Sequence, residues 1–336
     1  MGIDYRLTHA DENRAELGFI SDFMKYDAQA SIDTTARIED NSFALTMDED
    51  AWEKRPILEN HLVYIAGTEW GGPVLRVKHS TKSETVTVSG LIWRGLLMRK
   101  IITPPAGFAY KTLSNVDANA ALLELIGPTM GTLFQVTEQS LGVNVSGEWR
   151  FIVLMHAMHT LLSRYGLALR LYYDPIARAA KASAEHITDH SETIDLSQDY
   201  GVDLISTIGR LDDYNHVIAL GAGELLDRDI RHAYRLDDGT ITTIAPSGTW
   251  EDRATIYEYT NAETPEILLD GAKKRLTEYN PTKTVEMDPS QAGLDFALGD
   301  IVGARDRLTG MAAKATIAQK ILTINDYGVE IQTKVG

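Results

Sequence analysis

The chain has 336 residues, 44% of them hydrophobic and 24% charged, which is the balance of a folded soluble protein and enough length for two to four compact units. It has no cysteine, which excludes disulfides, thiolate metal sites and a cysteine nucleophile. Its formal net charge of −16, from 48 acidic and 32 basic residues, repels phosphate and argues against duplex DNA or RNA as a tight ligand.

The amino terminus, Met1-Gly2-Ile3-Asp4-Tyr5-Arg6, has no basic region followed by an apolar one, so no secretory signal is expected. It also lacks the Ser or Thr of a myristoylation site. No run of 18 or more apolar residues is present, so no transmembrane helix or other membrane anchor is expected. Residues 1–105 read as short strands: "HLVYIAG" (61–67), "GPVLRVKHS" (72–80) and "ETVTVSG" (84–90) alternate or run apolar between Gly, Pro and Ser. Trp70-Gly71-Gly72-Pro73 carries a turn signal.

From residue 106 the pattern changes. Asp117 is placed to cap a helix through Leu122, Leu123, Leu125 and Ile126, which Gly127-Pro128 should interrupt. Gly147-Glu148-Trp149 reads as the opening of a second helix with Phe151, Leu154, Met155, Met158, Leu161 and Leu162 on its apolar face, stopped by Gly166. "LALRLYYD" (167–174) alternates as a strand. Residues 176–260 are strand-rich, and "HAYRLDDGTITTIA" (232–245) predicts a hairpin turning at Asp238-Gly239. Thr264 and Pro265 predict a capped helix with the stripe Leu268, Leu269, Ala272 and Leu276. Lys273, Lys274 and Arg275 lie near its carboxyl end, and Asn280-Pro281 should end it. The tail returns to strands in "DIVGARD", "MAAKATIAQKILTIND" and "GVEIQTKVG".

The stretch "HVIALGAGELLD" (216–227) has the outline of a nucleotide-binding turn, an apolar run meeting Gly221 and Gly223. The dinucleotide fingerprint needs a third glycine three residues on, and Leu226 stands there; no phosphate-loop lysine follows. The two glycines are better read as permitting a turn or bulge with positive φ. His156 and His159 lie three apart on one predicted helix, but zinc needs a third ligand, and Glu148 is the one nearby carboxylate. A partly buried helix face accounts for both. The acidic clusters Asp48-Glu49-Asp50, Asp212-Asp213 and Asp237-Asp238 lack the spacing of a calcium loop. Asn144-Val145-Ser146 is a sequon without a secretory signal. Neither a G-x-S-x-G elbow nor an H-E-x-x-H helix occurs. No catalytic residue, cofactor site or metal site is assigned, and no enzyme activity is expected.

Three segments, in this order, resemble the hub proteins of long-tailed bacteriophage tails. "VSGLIWRGLLMRKIITPP" (88–105) places Gly90, Leu96, Leu97 and Arg99 as that family's signature does. "NHVIALGAGE" (215–224) with Arg228 resembles its asparagine, apolar strand, G-x-G-E and downstream arginine, through Asn215, Gly221, Gly223, Glu224 and Arg228. "LGDIVGARD" (298–306), with Gly299 and Asp300, resembles the start of its closing barrel. The family includes the amino-terminal part of tail-associated lysins, central baseplate hubs and siphovirus minor tail proteins.

The resemblance implies an α+β, mainly β chain with two β-barrel tube domains and attached α/β and helix-containing domains. The boundaries it suggests are 1–105 for the first barrel and 106–186 for an α/β domain. The second barrel would comprise 187–222 and 283–336, with a hairpin-plus-helix insertion at 223–282. It implies a homotrimer whose six barrels meet a hexameric distal tail protein. Tape-measure and tail-tip or receptor-binding proteins would be its other partners, and genome DNA would pass through without specific binding. The place implied is the virion tail tip, assembled in the bacterial host cytoplasm. Many relatives continue into a peptidase, a lysozyme-like domain or a fibre, whereas this chain stops after the barrel-like segment, so lytic activity is not carried over. The alternative reading is a carbohydrate-active protein, a glycosidase or glycan-binding module acting on the host cell wall.

Overall fold

A computed structural model describes residues 4–34, 38–194, 196–197, 201–209, 214–247, 250–279 and 282–336. Two compact units emerge. The first is Met1–Asp203 with Met287–Arg305 and Ala312–Gly336, and the second is Leu204–Glu286 with Asp306–Met311. The expected class holds: the chain is α+β and mainly β, with strand outnumbering helix 41% to 21%.

The first unit opens with strands β1 (Thr8–Ala10), β2 (Glu16–Phe19), β3 (Tyr26–Asp33) and β4 (Ser42–Asp48), then a short helix α1 (Glu49–Lys54). Strands β5 (Leu62–Tyr64), β6 (Gly71–Ser80) and β7 (Thr85–Leu91) follow. On β4 and β7 side chains alternate between core and surface, as a sheet with one covered face requires: Phe43, Leu45 and Met47 point inward on β4, and Val86 and Val88 on β7. The turn expected at Trp70–Pro73 lies earlier, before β6 begins at Gly71. These glycines serve close approach within the strand instead. A Cβ on Gly72 would stand 2.0 Å from the Leu91 carbonyl oxygen, and one on Gly71 would stand 2.4 Å from the Tyr64 Cα.

Helix α2 (Trp93–Met98) and strand β8 (Ile101–Ile102) lead into β9 (Lys111–Asp117) and helix α3 (Ala118–Met130). Asp117 caps α3 as expected, its side chain accepting from the Asn119 N–H at 2.9 Å. Gly127-Pro128 does not interrupt this helix, which runs to Met130. Proline there falls in the last turn, where few further backbone bonds remain to be lost. Next come β10 (Phe134–Val136), β11 (Asn144–Trp149), β12 (Ile152–Val153), helix α4 (Leu154–Ser163), β13 (Leu167–Asp174) and β14 (Ala179–His186). Gly147-Glu148-Trp149 therefore closes a strand and does not open a helix. The β11–β9 ladder claims these residues, and Phe151, at φ 51°, turns the chain before α4 starts at Leu154. The apolar stripe of α4 is the expected one without Phe151, which stands exposed ahead of the helix: Leu154, Met155, Met158, Leu161 and Leu162 are buried with Leu122 and Ile126 of α3 in one large core.

The second unit contains β15 (Leu204–Gly209), β16 (His216–Leu220), β17 (Ile230–Arg235), β18 (Ile241–Thr242), β19 (Ala254–Glu258), helix α5 (Pro265–Glu278) and β20 (Thr282–Met287). β16 lies between antiparallel β17 and parallel β19. Leu268, Ala272 and Leu276 of α5 cover Val217, Ala219 and Ala233 of this sheet. Thr264 caps α5, its hydroxyl accepting from the Ile267 N–H at 3.3 Å, with Pro265 in the first turn. The expected hairpin is present, but Leu236 and Thr240 close it around three residues, Asp237-Asp238-Gly239, and not the two-residue turn expected at Asp238-Gly239, with Gly239 taking a φ of 84°. Asn280-Pro281 and Asp212-Asp213 lie outside the described residues.

Strands β21 (Ile301–Arg305), β22 (Ala312–Asn325) and β23 (Gly328–Val335) return to the first unit. β22 pairs with β3, Gln319 opposite Asp33 through Ile324 opposite Ala28. One ten-stranded sheet results, in the order β2-β1-β5-β6-β7-β4-β3-β22-β21, with β23 also beside β22. The strands of 1–105 and 301–335 thus share a sheet, while β16 belongs to the second unit and not with β21, β22 and β23. The reason is register: the 14-residue β22 is long enough to pair with β21 through its first half and with β3 and β23 through its second. Among the described residues no ladder returns to its first strand to close a barrel.

Candidate functional site

The turn Leu298-Gly299-Asp300 sets the carboxylate of Asp300 inside the first unit, 4% exposed, just before β21. Gly299 has φ 87°, the left-handed region that favours glycine, and a Cβ there would meet Ala168 at 3.1 Å. Asp300 accepts from Arg170 Nη2 at 2.8 Å, from the Ala297 N–H at 3.0 Å and from the Thr188 N–H at 3.3 Å. His190 Nε2 lies 3.4 Å from its second oxygen. One buried carboxylate thereby ties β13, the 188–190 segment and the β21 turn together. Arg170 also donates to the Leu298 carbonyl.

Gly90 on β7 faces a crowded position: a Cβ would lie 2.0 Å from the Pro73 carbonyl oxygen and 2.8 Å from the Phe43 ring. Leu96 packs half-buried against the large core, and Arg99 ends α2 exposed. Between them stand two residues that sequence reading passed over. Arg94 is 2% exposed and holds Glu69 with two bonds, 2.6 Å from Nε and 3.1 Å from Nη2, while Nη2 also donates to the Leu169 carbonyl. Trp93 stacks on Tyr173, ring centroids 4.9 Å apart and planes 8° from parallel. The signal was an arginine inside the apolar run "GLIWRGLLM", where burial requires a charged partner. A cleft of about 310 Å³ opens here. Its three cations are matched, Arg94 by Glu69, Arg170 by Asp300 and Lys320 by Asp295.

In the second unit Asn215 is 3% exposed. Its side-chain amide donates to the Glu251 carbonyl at 2.7 Å, and its side-chain oxygen accepts from the Arg253 N–H at 2.8 Å. That exchange fastens the approach to β19 alongside β16. Gly221 and Gly223 end β16 as a turn, but only Gly223 takes the expected positive φ; Gly221 is fixed by close approach instead. Gly221 donates to the Asp229 carbonyl at 2.8 Å, and a Cβ would meet Leu268 of α5 at 2.8 Å. Gly223 has φ 91°, with the Asp227 carbonyl oxygen 2.3 Å from where a Cβ would be. Glu224 is exposed, and its carbonyl accepts from the Asp227 N–H. Arg228 binds the carboxylate of Glu258.

Two histidine chains also went unread. His216 Nδ1 faces Asp252 Oδ1 at 2.8 Å, and its Nε2 faces His232 Nδ1 at 2.9 Å. Burial, then the neighbouring His216, lowers the His232 pKa. In the first unit His61 Nδ1 faces His9 Nε2 at 2.8 Å, and Glu12 lies 3.4 Å from His61 Nε2. Histidines so far apart in sequence give no motif.

His156 is exposed and His159 half-buried on α4. Burial, then Arg94 and His156, lowers the His159 pKa. Among the described residues no cluster of three or more His, Asp or Glu could hold a metal ion. Asp48-Glu49-Asp50 spans the start of α1 and Asp237-Asp238 the hairpin turn. Asn144 of the sequon bonds to Asn115.

The residues singled out by sequence form no single centre. Gly90, Leu96, Arg99, Gly299 and Asp300 belong to the first unit, and Asn215, Gly221, Gly223, Glu224 and Arg228 to the second. The buried members hold backbone segments at turns and crossings.

No protein-family model and no curated protein matches the sequence. The structure is similar to the tail protein from Neisseria meningitidis, at 12% identity, covering 98% of this chain and 95% of that one, with a TM-score of 0.47. It is similar to the 43 kDa tail protein of prophage MuSo2 from Shewanella oneidensis, at 13% identity, 98% of each chain and a TM-score of 0.48. A prophage tail protein from Listeria monocytogenes is similar at 13% identity, 98% of this chain and 94% of that one, with a TM-score of 0.45.

Proposed function

We propose that this chain is a structural tail-tip hub, three copies of which close a ring joining the hexameric distal tail protein to the tip. The reading is supported by the order of the three hub-like segments along the chain and by what their residues do. Asn215, Gly221, Gly223, Gly299 and Asp300 are spent on turns and clamps, as a scaffold needs. The observation that carries it furthest is an edge. Among the described residues the eight-residue β23 pairs with β22 alone, leaving its other side without a ladder. An unpaired edge of that length invites another strand, and closed symmetry covers such edges without open-ended growth.

In this reading the two strand-rich parts act as tube domains, and six of them from three copies face a six-fold ring. Tape-measure and tip proteins meet the same ring from either side, and the genome passes through a ring of chains each carrying a net charge of −16, which disfavours phosphate binding. The site of action is the virion tail tip. Negative-stain imaging of the purified protein with its distal tail ring tests this. A three-fold ring seated on the hexamer supports the hub, and a monomer that ignores the hexamer contradicts it. Turnover or binding of cell-wall glycans by the pure protein would instead favour a carbohydrate-active role.

A further inference from the structure

The molecule carries the same unusual arrangement twice, once in each unit. In each, a carboxylate faces one ring nitrogen of a central histidine, and the other ring nitrogen of that histidine faces a terminal histidine. The chains are Glu12–His61–His9 and Asp252–His216–His232. The ring pairs match closely, with centroids 5.0 and 5.2 Å apart and planes tilted by 33° and 31°. Nitrogen-to-nitrogen distances of 2.8 and 2.9 Å leave room for one proton between each pair and not for two.

We propose that these two chains are acid-sensitive locks, closed while each pair shares one proton and opened when a second arrives. One added proton fits the geometry of the chain. It makes the central ring an imidazolium that donates one N–H to the carboxylate and the other to the terminal ring. A second proton must go to the terminal ring, whose facing nitrogen is then a donor opposed to a donor, with two positive charges in contact.

The surroundings decide where that second proton costs most. His9 is 2% exposed on β1. The charged groups around it are His61 and Arg55, which oppose a proton, and Asp11, which favours one, with Glu12 beyond His61. Burial dominates and brings the His9 pKa down to about 4. His232 on β17 faces His216, which opposes a proton, and Asp252, which favours one, with the Tyr234 ring stacked beside both histidines. Its pKa is lowered too, by burial first.

The sign follows. A base whose folded pKa lies below its unfolded value of about 6.5 binds more protons unfolded than folded in the interval between, so stability falls as pH drops through it. For His9 the folded-to-unfolded ratio should drop roughly 100-fold between pH 7 and pH 4 from this group alone. The parts released are specific. His9 sits opposite Val63 in the β1–β5 ladder, next to His61, so the first lock holds the β2-β1 margin of the ten-stranded sheet. Asp252 precedes β19, so the second holds the approach to that strand.

The test is a pair of measurements on the full chain. Urea unfolding is followed from pH 7.5 to pH 4 for the natural protein, H9Q and H232Q. Each variant should lose a large part of the acid-dependent drop, because its terminal position no longer takes a proton. Should H9Q fail to fold, NMR of the natural protein labelled at histidine Cε1 serves instead. The His9 and His232 signals should titrate below about 6.5. Acid slopes in both variants equal to that of the natural protein, or terminal histidines titrating at or above that value, would overturn the proposal.

Discussion

Replacing Asp300 by alanine is the sharpest perturbation of the first unit. The carboxylate is 4% exposed and receives Arg170 at 2.8 Å with two backbone N–H groups at 3.0 and 3.3 Å. Asp300→Ala removes the charge that matches Arg170. What remains to that guanidinium is the Leu298 carbonyl and a distant Glu185 carboxylate at 4.0 Å. Removing one partner of a buried pair costs about 3–5 kcal/mol, a large share of a typical folding free energy of about 5–15 kcal/mol. Asp300→Asn keeps an acceptor for the N–H groups but not the charge, and should cost about 1.5–3 kcal/mol. Trp52, Trp70, Trp93 and Trp149 lie in the first unit, so urea unfolding read by tryptophan fluorescence reports mainly on it. With a urea slope of about 3 kcal/mol per M, the Asp300→Ala midpoint should fall by about 1–2 M. A double-mutant cycle with Arg170→Met should return a coupling of about 1–3 kcal/mol. A loss below about 1 kcal/mol, or strict additivity in the cycle, would refute the clamp.

Three further outcomes are expected. Thr264→Ala removes the α5 cap and should cost the second unit about 1 kcal/mol, read from its circular dichroism melt. Gly90→Ala forces a Cβ to within 2.0 Å of the Pro73 carbonyl oxygen, so β6 and β7 must separate, and the melting temperature should fall sharply or the protein fail to accumulate. Gly127→Ala should bring no net gain: its Cβ would meet Leu123 at 3.8 Å within α3, but it would also crowd the ring of the following Pro128 in helical backbone, which offsets the helix-propensity gain of about 0.5–1 kcal/mol, so denaturant titration should show unchanged or lower stability.

Much of the fold was legible because local chemistry decided it. Thr264-Pro265 caps a helix, Asp238-Gly239 turns a hairpin and "LALRLYYD" alternates as β13, each from signals within a few residues. What failed was non-local. Trp149 belongs to β11 because β9, over thirty residues earlier, offers a ladder, and no helical pattern within 147–162 reveals that. The joining of β3 to β22 rests on residues nearly 300 positions apart, so strands assigned to separate barrels could end in one sheet. At the site, Gly223, at positive φ, was readable as a turn. The partners of Asp300 and Arg94 were not, because a buried charge announces that it needs a counterion without saying where the counterion lies.

The central claim is that three copies of this chain form a closed hub, and copy number tests it most directly. Native mass spectrometry of the protein bound to its distal tail ring, or counting in intact tails, gives the ratio. The hub predicts three copies for every six ring subunits, and a free assembly near 112 kDa, three times the 37.2 kDa chain. Six copies, or one, per ring would contradict it.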